Sequence, residues 1–220
     1  MPFPPDFFPS EIAIAQRVGN HTMTGPERIL ALINAVRHIV RNRIQGDIVE
    51  CGVWRGGSMM AVALTLMELN SANRHLYLFD TFEGMPPPAD VDVSFAGIPA
   101  AASMNEPLVR ADASLPDVMA AMASTGYPME LIHFVKGKVE ETIPTDITGT
   151  IALLRLDTDW YESTRHELLY LYPLLAKNGI LIIDDYGHWQ GARKAVDEYF
   201  ADGGPFMNRI DYTGRLIVKP

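Results

Sequence analysis

Four aspartates close the two most apolar stretches of the chain: Asp157 and Asp159 in LDTDWY at residues 156–161, and the adjacent pair Asp184 and Asp185 in IIDDYGHW. Aspartates often do no more than end a strand and open a turn. Neighbouring strands, however, lie ~5 Å apart, so four carboxylates at two adjacent strand ends crowd like charge into one low-dielectric rim. Something cationic must compensate them. Residues two apart on a strand share a face, and Asp157 and Asp159 are therefore expected to converge with Asp184 or Asp185 on a divalent ion. All-oxygen ligation suits Mg2+, with Mn2+ or Ca2+ as alternatives, whereas zinc would draw on histidine or cysteine, which are scattered here. His188 follows the acidic pair closely and titrates near neutral pH, which makes it a candidate general base; a hydrogen-bonded loop histidine is the plainer reading. Lys138 and Arg155, charged residues among apolar neighbours, are read as partners of nearby acids with no role of their own.

A second set of polar positions surrounds the turn ECGVWRGGS. Gly52, Gly56 and Gly57 fall where backbone would approach a ligand, and Ser58 stands near the start of the following helix. The turn is neither the G-x-G-x-x-G of a dinucleotide fold nor a lysine-bearing phosphate loop. Glu50, just before it, would repel a pyrophosphate but attract the amino group and sulfonium of S-adenosylmethionine. Asp80, ending the next apolar run, is placed to accept hydrogen bonds from a ribose diol. Glycines that only tighten a turn and an aspartate that only caps a segment would look the same one at a time; together they favour a nucleoside cofactor. Trp54, Trp160 and Trp189 lie beside these motifs, as pocket walls or as ordinary packing.

Gathering these residues in one place requires a particular arrangement of elements. TGPERILALINAVRHIV predicts a helix, with Thr24 and Glu27 as a capping box and Ile29, Ile33, Val36 and Val40 at helical spacing. DIVECG and HLYLFD predict strands with a buried helix, GGSMMAVALTLMEL, between them. SLPDVMAAMAST predicts a helix capped by Ser114, LIHFV, TIALLRLD and GILIID predict further strands, and QGARKAVDEYF a last helix. Apolar strands without polar alternation are buried on both faces, so the fold class is a doubly wound α/β sheet, mainly parallel. FMNRIDYTGRLIVKP adds a C-terminal antiparallel hairpin turning around Thr213 and Gly214. Ligands of such sheets bind beyond the carboxyl ends of the strands where strand order reverses, and every candidate named above falls at such an end. Residues 81–113 show no period and are expected to form a lid over an acceptor. Residues 1–23, beginning MPFPPDFFPS, are expected to be an N-terminal arm or lid, extended at its start, that packs on the surface or on a neighbouring subunit of a homo-oligomer; a frayed terminus accounts for them equally.

The 220 residues are enough for one well-buried domain, 1–220, and no shift in composition marks a second. Eighteen basic against 27 acidic residues give a net charge of −9, which repels phosphate backbones and argues against nucleic acid as a partner. Cys51 is the single cysteine, so no internal disulfide forms. No run nears the ~20 apolar residues that span a bilayer, and no signal peptide is evident, so a cytoplasmic protein off the membrane is expected.

VECGVWRGGSMM, LYLFDTFEGMPPP, LRLDTDWYEST and GILIIDDYGHWQGARKAVDEYF together resemble the macrocin O-methyltransferase (TylF/MycF) family, from about Thr24 to the C-terminus. The resemblance implies a Rossmann-like class I methyltransferase fold and the use of S-adenosylmethionine and Mg2+ to methylate a hydroxyl on a small-molecule glycosidic acceptor, typically a deoxysugar of a natural product. It implies Asp157, Asp184 and Asp185 as metal ligands and Asp159 as general base. It places Glu50, Gly52 and Ser58 on the methionine end of the cofactor, Asp80 on its ribose, Gly137 and Val139 of KGKVEET beside adenine, and Thr24 in a lid residue's position, where its cap role explains it as well. A vicinal diol would chelate the metal; a catechol-like or other small-molecule hydroxyl is the alternative acceptor. Beyond the end of LYLFDTFEGMPPP, the segment between Asp80 and Leu131 aligns with no family motif, which leaves the acceptor open. A nicotinamide-dependent oxidoreductase shares the strand, glycine turn and distal acid, but hydride transfer has no use for clustered aspartates.

Overall fold

Strands buried on both faces must be covered on both faces, and the chain supplies helices for each. The computed structural model describes residues 3–144 and 149–220, so the first two residues of the expected arm lie outside the described residues. In chain order the elements are α1 (Pro9–Val18), α2 (Pro26–Arg41), β1 (Asp47–Cys51), α3 (Gly57–Glu68), β2 (Leu76–Asp80), α4 (Ala100–Ser103), α5 (Pro107–Arg110), α6 (Leu115–Ala123), β3 (Ile132–Lys136), α7 (Val139–Thr142), β4 (Ile151–Leu156), α8 (Tyr161–Leu171), β5 (Leu175–Ile183), α9 (Gln190–Tyr199), β6 (Met207–Arg209) and β7 (Arg215–Val218). The sheet runs β3-β2-β1-β4-β5-β7-β6. Its first five strands are parallel, and β7 is antiparallel to both β5 and β6. Strand order reverses between β1 and β4, which puts the switch point where the sequence puts the acids.

Alternation along each strand divides the core. Ile48, Leu153, Ile180 and Ile182 pack with α1, α2, α3 and α6 on one face. Val49, Cys51, Leu154, Leu156, Leu181 and Ile183 pack with α8 and α9 on the other. A register shift between Ile151 and Leu153 turns Ala152 and Leu153 to the same side and sets the face of everything after them. Glu50, Arg155 and Asp184 are thereby directed towards α2, which carries Arg28.

Three local expectations are corrected. Of the expected extended start, residues 3–8 are non-helical with a turn at Pro5 and Asp6, and α1 then starts with Pro9 at its first position, where a missing N–H costs nothing. Glu11 caps α1 through the Phe8 N–H at 2.7 Å, pairs with Arg37, and is 2% exposed. Thr24 does not cap α2, whose N-cap is Gly25, because proline at the first helical position moves the start one residue on. Residues 81–113 are not without structure: they hold α4 and α5 and bridge to the sheet's loops through Ser94 and Trp189. Ser114 caps α6 as expected, by accepting from the Asp117 N–H. The hairpin closes on Asp211, whose Oδ1 accepts from the Thr213 and Gly214 N–H groups at 2.9 and 2.6 Å. Among the described residues, no helix is long and apolar enough to cross a membrane.

Candidate active site

Register places Glu50 of β1 directly opposite Arg155 of β4, and the two form a buried ion pair at 2.7 Å. The Arg155 guanidinium, 3% exposed, also donates to Asp157 at 2.6 Å, to Asp184 at 2.6 Å and to the Thr24 hydroxyl at 3.1 Å. Arg28 reaches the other Asp184 oxygen and lies 3.0 Å from Asp211. The compensation expected from a metal alone thus comes in part from two arginines. Arg155 does pair with acids, but it is the centre of the cluster rather than a bystander. Lys138 is an exposed residue at the edge of the neighbouring cavity. Glu50 is fully buried and faces Arg155 with Oε1, while its buried Oε2 has no hydrogen-bond partner among the described residues.

Asp157 and Asp159 meet in one cavity, though not by sharing a strand face. β4 ends at Leu156, and Asp159 sits in the following loop with φ +64°, a left-handed conformation that aspartate tolerates better than most residues. Between them, Thr158 donates to the buried Glu167 of α8 at 3.0 Å. Asp157, Asp184 and Asp185 each offer one carboxylate oxygen, all within 4.8 Å of one another. That set suits a hard cation such as Mg2+. Asp159 lies alongside, with Asp185 and the Trp189 indole next to its carboxyl. Six carboxyls (Glu50, Asp157, Asp159, Asp184, Asp185 and Asp211) meet two guanidiniums among the described residues, and the excess shows in the titration of Glu50, Asp157, Asp159 and Asp185. Burial, with Arg155 opposing it, lifts Glu50 to about 8 and Asp157 to about 6. Burial and the Asp157 charge lift Asp159 to about 7, and burial with Asp159 beside it takes Asp185 well above the usual carboxylate range. Burial opposes the charge on Arg155, but its three acids outweigh that and hold it firmly protonated.

His188 lines the same cavity, half-buried, with Nδ1 3.1 Å from the Tyr212 hydroxyl; burial and then Arg28 lower its pKa. Tyr212 and Phe95 surround its ring, at 6.0 and 5.5 Å between centroids. Thr24, Ser58 and Trp189 line this cavity as well.

A second cavity follows the carboxyl ends of β1, β2 and β3 and shares Met23, Trp54, Asp157 and Asp159 with the first. Gly52, Asp80, Gly137 and Val139 line it. Gly52 has φ +81° and a Cβ there would stand 1.9 Å from the Asp157 carbonyl, so this glycine lets the β1 and β4 loops touch. Asp80 braces the glycine turn, accepting from the Val53, Trp54 and Phe82 N–H groups at 2.7, 3.0 and 2.7 Å. Thr81 Oγ1 is 3.4 Å from Asp80 Oδ1 but 2.6 Å from the Gly84 carbonyl; its one proton goes to the carbonyl, which leaves Oδ1 an acceptor position. At the start of α3 the Gly57 N–H is taken by the His21 carbonyl at 2.9 Å.

A mainly parallel seven-stranded sheet ending in an antiparallel hairpin, with an acid-rimmed double cavity at its switch point, is the class I methyltransferase fold, as its likeness to a solved O-methyltransferase shows. The Macrocin-O-methyltransferase (TylF) family profile matches residues 15–217. A demethyldecarbamoylnovobiocin O-methyltransferase from Streptomyces niveus is 35% identical over 182 residues, 82% of this chain and 68% of that protein. A mycinamicin III 3''-O-methyltransferase from Micromonospora griseorubida is 33% identical over 183 residues, covering 81% and 70%. The solved structure of the O-methyltransferase NovP superposes with a TM-score of 0.80 at 32% identity, over 90% of this chain and 82% of that one. The chain belongs to the macrocin O-methyltransferase family and is an S-adenosylmethionine-dependent O-methyltransferase, which rules out the oxidoreductase reading.

Proposed function

We propose that the protein methylates a sugar hydroxyl of a glycosylated natural product, one of a vicinal diol, with Mg2+ held by Asp157, Asp184 and Asp185. The observation that carries this reading is the three carboxylate oxygens within 4.8 Å of one another, beside a fourth carboxyl whose pKa lies near neutrality. The relatives from Streptomyces niveus and Micromonospora griseorubida are named for demethyldecarbamoylnovobiocin and for the 3'' position of mycinamicin III, and a further relative, from Streptomyces olivaceus, is named for the 4' position of a rhamnosyl-bearing tetracenomycin. Held by these three residues, Mg2+ would supply the Lewis acidity that makes a bound hydroxyl more acidic.

The chain's own residues do the rest. Asp159, aimed into the cavity by its left-handed backbone, takes the hydroxyl proton as the oxygen bonds to the methyl carbon and the methyl–sulfur bond breaks. Arg155 and Arg28 hold Asp184 in place, which fixes the ligand set before the substrate arrives. Gly52, Asp80, Gly137 and Val139 seat the nucleoside part of the cofactor, with the open Asp80 Oδ1 position directed to ribose; Thr24 and Ser58 border the methionine end. Glu50 contributes through Arg155. His188 borders the acceptor with its Nδ1 3.1 Å from the Tyr212 hydroxyl, and the base role is assigned to Asp159 because its carboxyl stands beside the three proposed ligands.

The test is a screen of vicinal-diol glycosides with S-adenosylmethionine and Mg2+, read by mass spectrometry for one added methyl group. Asp185→Asn is expected to lose metal-dependent turnover while binding S-adenosylmethionine within about twofold of wild type by calorimetry. Full turnover of this variant would overturn the ligand assignment.

A further inference from the structure

Asp92 lies in the long connection between β2 and α6, far in sequence from the glycine turn and the acidic loops, yet it is 1% exposed. A buried carboxylate costs free energy unless donors surround it. Asp92 Oδ1 accepts from the Tyr161 N–H, the first of α8, at 2.8 Å, and Oδ2 from the Ala89 N–H at 2.8 Å. A Cβ added to Gly191, in the first turn of α9, would stand 2.0 Å from Oδ1, so the carboxylate also fills the entrance of that helix. Neither helix caps itself: the N-caps Trp160 and Trp189 offer no side-chain bond, and their rings meet edge to face 5.0 Å apart. One negative group therefore serves two helix N-termini, where backbone partial charges favour an anion.

Those helices begin where the two acidic loops end. Asp157 and Asp159 precede α8, and Asp184, Asp185 and His188 precede α9. The segment around Asp92 is sewn to the second loop as well. Phe95 N–H donates to the His188 carbonyl at 2.7 Å, Gln190 N–H to the Val93 carbonyl at 2.8 Å, and the Gln190 amide to the Ser94 carbonyl at 2.9 Å. Ala100 N–H closes the segment on the Asp92 carbonyl at 2.8 Å.

We infer that Asp92 is a positioning residue for methyl transfer: by capping α8 and filling the entrance of α9 it fixes the spacing between the Asp157–Asp159 loop and the Asp184–His188 loop. It touches neither cavity, and cofactor affinity should be indifferent to it. The inference rests on the proposed roles of those loops for its kinetic consequence, but not for its structural one.

Asp92→Ala and Asp92→Asn separate the possibilities. Asparagine keeps an acceptor for Tyr161 and loses the one for Ala89. In amide hydrogen exchange well below the unfolding temperature, Asp92→Ala is expected to speed exchange at Tyr161 and at residues 190–192 by at least tenfold, leaving β1, β4 and β5 as in wild type. On a glycoside that wild type turns over, kcat should fall at least tenfold in Asp92→Ala with KM for S-adenosylmethionine within twofold, and Asp92→Asn should recover most of it. Exchange that rises uniformly across the sheet, exchange that rises only in residues 89–100, or an unchanged kcat in folded Asp92→Ala would each overturn the inference. If wild type methylates no glycoside, the proposed acceptor class fails, and the exchange result alone decides whether Asp92 couples the two loops.

Discussion

Asp159 and Arg155 illustrate what single residues carry here. Asp159→Asn is a clean substitution, because asparagine accepts the same left-handed backbone and nearly the same shape. It should lower kcat by about 100-fold or more, the range expected when a general base is lost, with stability close to wild type. His188→Gln, measured beside it, should stay within a few-fold of wild type; the reverse pattern would make His188 the base. Arg155→Met would leave Glu50 and Asp184 buried without their shared cation, and should cost about 3–5 kcal/mol in urea unfolding. The four aspartates are legible from type and position, since carboxylates that close two buried parallel strands must come out at the same end of the sheet. The central place of Arg155 is not legible in that way. A lone charge two positions before Asp157 in an apolar strand shares a face with the acids, but its cross-strand partner Glu50 appears only with register.

At the scale of elements, strands, helices and the terminal hairpin follow from periodicity and turn residues, and the structure has them in the expected order. What periodicity does not give is contact between distant segments. Asp92 is one such case, and α1 another, whose proline-rich approach hides a helix held by Glu11 and Arg37. Strand β3 and the residue before β2 carry a further one. His75 Nδ1 and His133 Nε2 are 2.7 Å apart, and burial, then His75, lowers the His133 pKa. A histidine whose folded pKa is depressed binds fewer protons than in the unfolded chain around its ordinary value of about 6.5. Its contribution to stability is therefore present above that pH and lost as pH falls through the lowered value. The raised carboxyls of the active site act in the opposite sense over the same range, so His133→Gln should leave the unfolding free energy at pH 5 higher, relative to pH 7, than it is in wild type; an unaltered pH dependence would show that the pair contributes nothing to it.

For the whole molecule, the switch point of the sheet collects acid faster than the chain supplies bases, and two arginines leave an excess that protons or a cation must take up. Ligands that bind only the folded state raise its stability by mass action, so millimolar Mg2+ should raise Tm at pH 7.5, and Asp185→Asn should abolish the rise. The direct trial of that idea is turnover itself: methyl transfer to an accepted glycoside, measured in excess EDTA and again after Mg2+ is restored. Loss of at least 100-fold in EDTA with full recovery on Mg2+ addition is the predicted result, and undiminished turnover in the chelator would contradict it.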